Sequence, residues 1–147
     1  MMANRKYHQG IYTVKNPHKY LGDPKKVKYR SSWELYLFEF CDNNTKILSW
    51  ASEEIIIPYI SPLDKKPHRY FPDVFVEFID VNNVKKRQLL EVKPYKETRP
   101  SKSKNPATRH TETETYVKNK AKWIAAKKWC KQHNIEFKII TEKTLFK

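Results

Sequence analysis

Near the middle of the chain, Phe71-Pro72-Asp73 is followed, after seventeen residues, by Glu91-Val92-Lys93. In a β-strand, positions i and i+2 share a face, so Glu91 and Lys93 project together while Val92 faces the other way. A hairpin can bring Asp73 beside them. Two carboxylates and a backbone carbonyl, that of Val92, are hard oxygen donors suited to Mg2+ or Mn2+ that also binds a phosphate oxygen and a water. A lysine next to such an ion stabilises the charge that builds on a phosphoryl group under attack. The plainer alternative is an ion pair between Glu91 and Lys93 on a solvated face. Leu89-Leu90 leads into the motif and implies a strand buried over part of its length, which makes charges at its end less ordinary.

Glu34 is a further acidic candidate. Ser31-Ser32-Trp33-Glu34 opens a helix running to about residue 42, with Ser31 capping the free amides and Glu34 completing a capping box. On a helical wheel Trp33, Leu37, Phe40 and Cys41 mark the apolar side, and Glu39 and Asp42 the opposite one. Glu34 falls beside Phe38 and Cys41, at the edge of the core. The cap alone suffices to explain Glu34, and the two roles are compatible.

The elements that must position these residues follow from periodicity and punctuation. Residues 47–51 and 54–59 predict two extended segments or one bent strand. Residues 69–79 alternate like a strand, residues 80–83 supply a turn, and 87–93 form a second strand closed by Pro94. Residues 95–111 read as a long polar loop, expected to be only partly ordered without DNA. A helix over about 112–133 and a strand over 135–141 complete an α-β-β-β-α-β order. The expectation is a mixed α/β fold with a central mixed sheet flanked by helices. Residues 1–30, rich in aromatic, basic and proline residues, form an N-terminal arm, and 31–147 form a single core domain.

The 147 residues carry 30 Lys+Arg against 16 Asp+Glu, a net charge of +14 that points to a polyanionic partner, foremost nucleic acid. Lys25, Lys26, Lys28 and Arg30 precede the first helix and Arg69 precedes Asp73, positions suited to phosphate contacts. Lys118, Lys120, Lys122, Lys127, Lys128 and Lys131 spread around the last long helix and suggest diffuse attraction. No apolar run approaches the ~20 residues of a membrane span, so no membrane partner is expected. The polar first ten residues do not read as a secretion signal. Cys41 and Cys130 lack the spacing of a zinc site or disulfide framework, and no two histidines share i,i+4 spacing. A reducing cytoplasm and an oxygen-ligated metal are expected.

Taken together, Gly10-Ile11-Tyr12, Asn16-Pro17, Lys19-Tyr20, Gly22-Asp23, Arg30 to Glu34, Trp50, Ser52-Glu53, Ile57-Pro58-Tyr59, Tyr70, Pro72-Asp73 and Glu91-Val92-Lys93-Pro94 resemble the head-completion nuclease family of T-even-type tailed phages. They also resemble the TnsA-type transposon endonuclease, with its PD-(D/E)xK site and restriction-endonuclease-like fold. The resemblance spans about residues 10–100. It implies an Mg2+- or Mn2+-dependent endonuclease acting on double-stranded DNA, with Glu34 as the helical acid and a further metal ligand, Asp73 and Glu91 as metal ligands, and Lys93 as the catalytic cation. Lys120 is a candidate to support the site from behind the residues that would touch the ion. The implied setting is completion of DNA-filled phage heads before tail attachment, with head, portal or neck components as partners, in the infected bacterial cytoplasm or the virion head. A non-catalytic DNA-binding head protein and a cellular transposase- or resolvase-type nuclease of the same fold remain the alternatives.

Overall fold

The computed structural model describes residues 9–145. The first eight residues of the expected arm lie outside that range. A four-stranded sheet forms the centre, in the order β3 (Ile47–Ser52), β6 (Val74–Ile79), β7 (Lys85–Val92), β8 (Glu136–Ile140). β3, β6 and β7 pair antiparallel, whereas β8 lies parallel to β7. A parallel neighbour needs a crossover, and α2 (Pro106–Gln132) supplies it. With α1 (Ser32–Asn43) preceding β3, the expected α-β-β-β-α-β order appears in the central sheet and its helices. A small hairpin, β4 (Ile57–Ile60) with β5 (Pro67–Tyr70), is inserted after β3.

Alternation along the strands builds one core on each face of the sheet. Val74, Val76, Leu90 and Val92 pack with Trp33, Leu37, Phe38 and Cys41 of α1. Leu89, Phe75, Phe137 and Ile139 point the other way and pack with Trp123, Ala126 and Cys130 of α2 and with Ile57, Tyr59 and Tyr70 of the inserted hairpin. Each fully buried side chain of this size contributes about 1.5–3 kcal/mol. Both cysteines are free and buried.

Several local expectations need correction. Residues 69–79 are not one strand: buried Pro72, which has no N–H for a ladder, separates β5 from β6. The expected loop over 95–111 holds a 3-10 turn, Tyr95–Thr98, and then the first turns of α2. That helix begins at Pro106 because Asn105 Oδ1 accepts from Thr108 N at 3.0 Å and Pro106 needs no amide partner. Residues 9–30 pack onto the core. β1 (Gly10–Ile11) pairs with β2 (Lys28–Tyr29), and Tyr12, Tyr20 and Val27 are buried against Trp50 and Phe38. On α1, Phe40 is 50% exposed while Asp42 is fully buried, the reverse of the helical-wheel expectation. Asp42 accepts hydrogen bonds from Tyr12 Oη at 2.6 Å, Lys15 N at 2.7 Å and Asn16 N at 3.0 Å. The buried Lys19 ammonium donates to the Asp42 and Asn44 carbonyls at 3.0 and 2.8 Å, closing the helix C-terminus.

Candidate active site

The β6–β7 hairpin brings Asp73 to Glu91 and Lys93. Its ladder ends at Val74 opposite Leu90, so the Val92 amide lies beyond the last paired residue of β6. Asp73 meets that amide with its side chain, Oδ2 accepting from Val92 N at 2.6 Å. The sheet end thereby places one carboxylate against the backbone between Glu91 and Lys93. Val92 itself is fully buried on the α1 side, so Glu91 and Lys93 project toward α2. The Lys93 amide is held by the Ile140 carbonyl of β8 at 2.9 Å, which fixes the strand end from its other edge.

Glu91 is only 6% exposed, and both its oxygens are engaged. Tyr70 Oη donates to Oε1 at 2.7 Å, and Lys93 Nζ lies 3.5 Å from Oε2. Burial still pushes the Glu91 carboxyl above its usual range, against the opposing pull of Lys93, the Tyr70 hydroxyl and Lys122. Asp73 is driven well above the usual carboxylate range by burial, and then by the negative charges of Glu91 and Glu34. The Val92 amide and Lys93 only partly offset this. Among the described residues none donates to Asp73 Oδ1. The result is a crowded acidic centre with one oxygen that none of the described residues engages.

Glu34 approaches from the N-terminus of α1 and performs the capping role. Its amide donates to Ser31 Oγ at 3.1 Å, while its carboxylate accepts from Arg30 N at 3.2 Å and from the Ser31 hydroxyl at 3.4 Å. Its charge also reaches Asp73. Among the described residues no three His, Cys, Asp or Glu side chains converge into a group able to hold a metal ion. The donor set fits a cation of the magnesium kind in another manner, because that ion is usually held by one or two carboxylates and completed by waters and substrate phosphate. Asp73, Glu91 and the Val92 carbonyl are the groups that could hold it.

Among the expected phosphate-binding residues, Arg30 interacts electrostatically with the candidate acids. It pairs with Glu53 and senses the charges of Glu34 and Asp73. Lys25, Lys26 and Lys28 are exposed on the segment leading into α1, and Arg69 is exposed on β5 with its guanidinium over Phe71. Lys120 is exposed and lies over the Tyr116 ring, 5.7 Å from its centroid. The lysine that α2 does bring to the carboxylates is Lys122, which sequence reasoning left among the diffuse charges. Its ammonium sits 5.5 Å from the Tyr70 ring centroid, half-buried, and interacts electrostatically with Glu91, Asp73 and Lys93. Burial lowers its pKa, and the nearby Lys118 and Lys93 charges lower it further. Its neighbours Lys118 and Lys120 alternate with it, so no periodicity distinguishes it; only packing over Tyr70 does.

Relatedness agrees with this geometry. The model of the family described as TnsA-like endonuclease N terminal matches residues 44–142, a span that contains Asp73, Glu91, Lys93 and Lys122 and begins after Glu34. The head completion nuclease of Enterobacteria phage T4 is 36% identical over 141 residues, covering 92% of this chain and 91% of that protein. With the mixed four-stranded sheet and the acidic cluster at the end of its central hairpin, these matches show that the chain belongs to the TnsA-like endonuclease family.

Proposed function

We propose that this protein is an Mg2+- or Mn2+-dependent endonuclease that hydrolyses DNA phosphodiester bonds during completion of DNA-filled phage heads. The observation that carries the chemistry is the junction of Asp73, Glu91 and Lys93 at the end of β6–β7, where burial and mutual repulsion leave the acids short of positive charge. The setting rests on the likeness to the T4 head completion nuclease over nearly the full length of both chains. It would place the protein in the infected bacterial cytoplasm or on the phage head, with head, portal or neck components as neighbours.

In this reading Asp73, Glu91 and the Val92 carbonyl are the groups that would hold the ion. A bound magnesium or manganese ion would polarise the phosphoryl oxygen and make a water more acidic. Lys93, tethered through Glu91, stabilises the negative charge that grows on the phosphoryl group. Tyr70 fixes the Glu91 carboxylate by its hydrogen bond, and Lys122 on α2 adds a second cation to draw the phosphate in. Glu34 sets the entry of α1 and adds its negative charge to the field at Asp73, where a cation would be drawn. Arg30, Lys25, Lys26, Lys28 and Arg69 supply backbone attraction that carries no sequence information.

The test is cleavage of supercoiled and linear plasmid with magnesium or manganese, run beside Lys93→Ala purified identically. Cleavage by the wild type that is lost in the variant is expected. Equal cleavage by both proteins would assign the activity to a contaminant, and tight DNA binding without cleavage would favour a structural head protein of this fold.

A further inference from the structure

A cleft of about 590 Å³ opens between the Tyr95–Thr98 turn and the first half of α2. Its wall includes Arg99, Lys102, Ser103, Thr111, Thr115 and Tyr116. Two features tie it to the active site. The turn that forms one wall starts at Tyr95, two residues past Lys93. On the other wall, Thr111, Thr115, Lys118 and Lys122 recur at spacings of four, three and four, so they line one stripe of α2 that runs from the cleft to the carboxylates. At 1.5 Å per residue the stripe from Thr111 to Lys122 is about 16 Å long, the length of roughly five stacked nucleotide steps.

The chemistry of the cleft suits an unpaired nucleic-acid strand. Arg99 and Lys143 gather on the Tyr95 ring, 5.0 and 3.4 Å from its centroid, so the turn presents fixed cations. Serine and threonine hydroxyls can meet base edges and sugars, and the half-buried Tyr116 offers an aromatic surface. Two acids also line the cleft, Glu97 on the turn and Glu112 on α2, the latter held by the Ser101 hydroxyl at 2.7 Å, against the three cations Lys96, Arg99 and Lys102. The volume lies in the ~300–1,000 Å³ range of sites that enclose small molecules, too narrow for a duplex and sufficient for one or two unstacked nucleotides.

We propose that this cleft binds the single-stranded segment adjoining the scissile phosphate, so that the favoured substrate is a DNA duplex with a single-stranded extension. The proposal rests on the nuclease reading for where the strand is cut, though not for how it is bound. The experiment measures anisotropy of labelled blunt duplexes and duplexes with a short extension on either strand, with the full chain in chelator to prevent cleavage. Extended DNA should bind about 10-fold more tightly than blunt DNA, through stacking and cationic contacts. Thr111→Trp, which fills the cleft from an exposed helix position, should bring that ratio close to one with an unchanged melting temperature. The double variant Arg99→Ala/Lys102→Ala should do the same without adding bulk. Equal wild-type affinity for blunt and extended DNA, or a preference surviving in both variants, would overturn the proposal. A magnesium arm separates the two readings: cleavage without preference removes the cleft alone, and preference without cleavage removes the nuclease reading alone.

Discussion

Two acids on this chain, the fully buried Asp42 and the half-buried Asp73, meet opposite fates. Asp42, at the end of α1, is fully buried, and burial alone would push its carboxyl up; hydrogen bonds from Tyr12, Lys15 and Asn16 outweigh this and hold it below its ordinary value. Asp73, at the end of the β6–β7 hairpin, receives one amide hydrogen bond and faces Glu91 and Glu34, so its carboxyl is held well above the ordinary range. A satisfied buried carboxylate secures a structure. A crowded carboxylate that receives a single hydrogen bond from the described residues costs stability, and a fold retains it where the charge is needed for chemistry. The contrast predicts that changes around Asp73 act on activity and changes around Asp42 act on stability.

The sharpest break concerns Lys93. Lys93→Ala should lower kcat about 10²–10³-fold, the usual loss when one preorganised charge is removed from a phosphoryl or acyl transfer site. Its DNA affinity should change little, and a parallel loss of binding would make Lys93 a binding residue. Asp42→Asn should instead cost about 3 kcal/mol, because one partner leaves a buried charged network, and should lower Tm by roughly 10 °C. Calorimetry reads this directly. The wild type should also show an acid limb that this variant lacks. Asp42 titrates below the ordinary value of 3.8, so its stabilisation is fully present above that pH and disappears as pH falls through the depressed folded value.

Smaller effects sharpen the other side. Magnesium or manganese at a hundredfold excess over Kd should stabilise the wild type by about 2.7 kcal/mol and leave Asp73→Asn unmoved. A thermal shift in both proteins would place the ion elsewhere. Tyr70→Phe removes the hydrogen bond to Glu91, of about 1 kcal/mol, and should reduce kcat about fivefold with KM unchanged.

The same contrast explains what could be read from the sequence. Glu91 and Lys93 were legible because i,i+2 spacing in a strand is local geometry, and Ser31 with Glu34 because capping is local chemistry. The central β-β-β-α-β order was legible for the same reason. Asp42 was misassigned because its partners lie about 30 residues upstream, in a segment without periodicity that nevertheless packs Tyr12, Tyr20 and Val27 into the core. Phe40 was misassigned with it, since a helical wheel cannot show which arc a neighbouring segment covers. Lys122 could not be picked from alternating lysines, because only the fold sets Tyr70 beneath it. The early start of α2 was present in Asn105-Pro106 as cap and first turn, but polar composition through residue 111 masked it.

Glu91→Gln tests the division most directly when cleavage and melting are measured on the same preparation. It should abolish metal-dependent plasmid cleavage while keeping the wild-type Tm in chelator, or raising it, because a buried negative charge has been removed. A variant that unfolds as Asp42→Asn does, or that cuts DNA at the wild-type rate, would contradict the assignment of this carboxylate to catalysis.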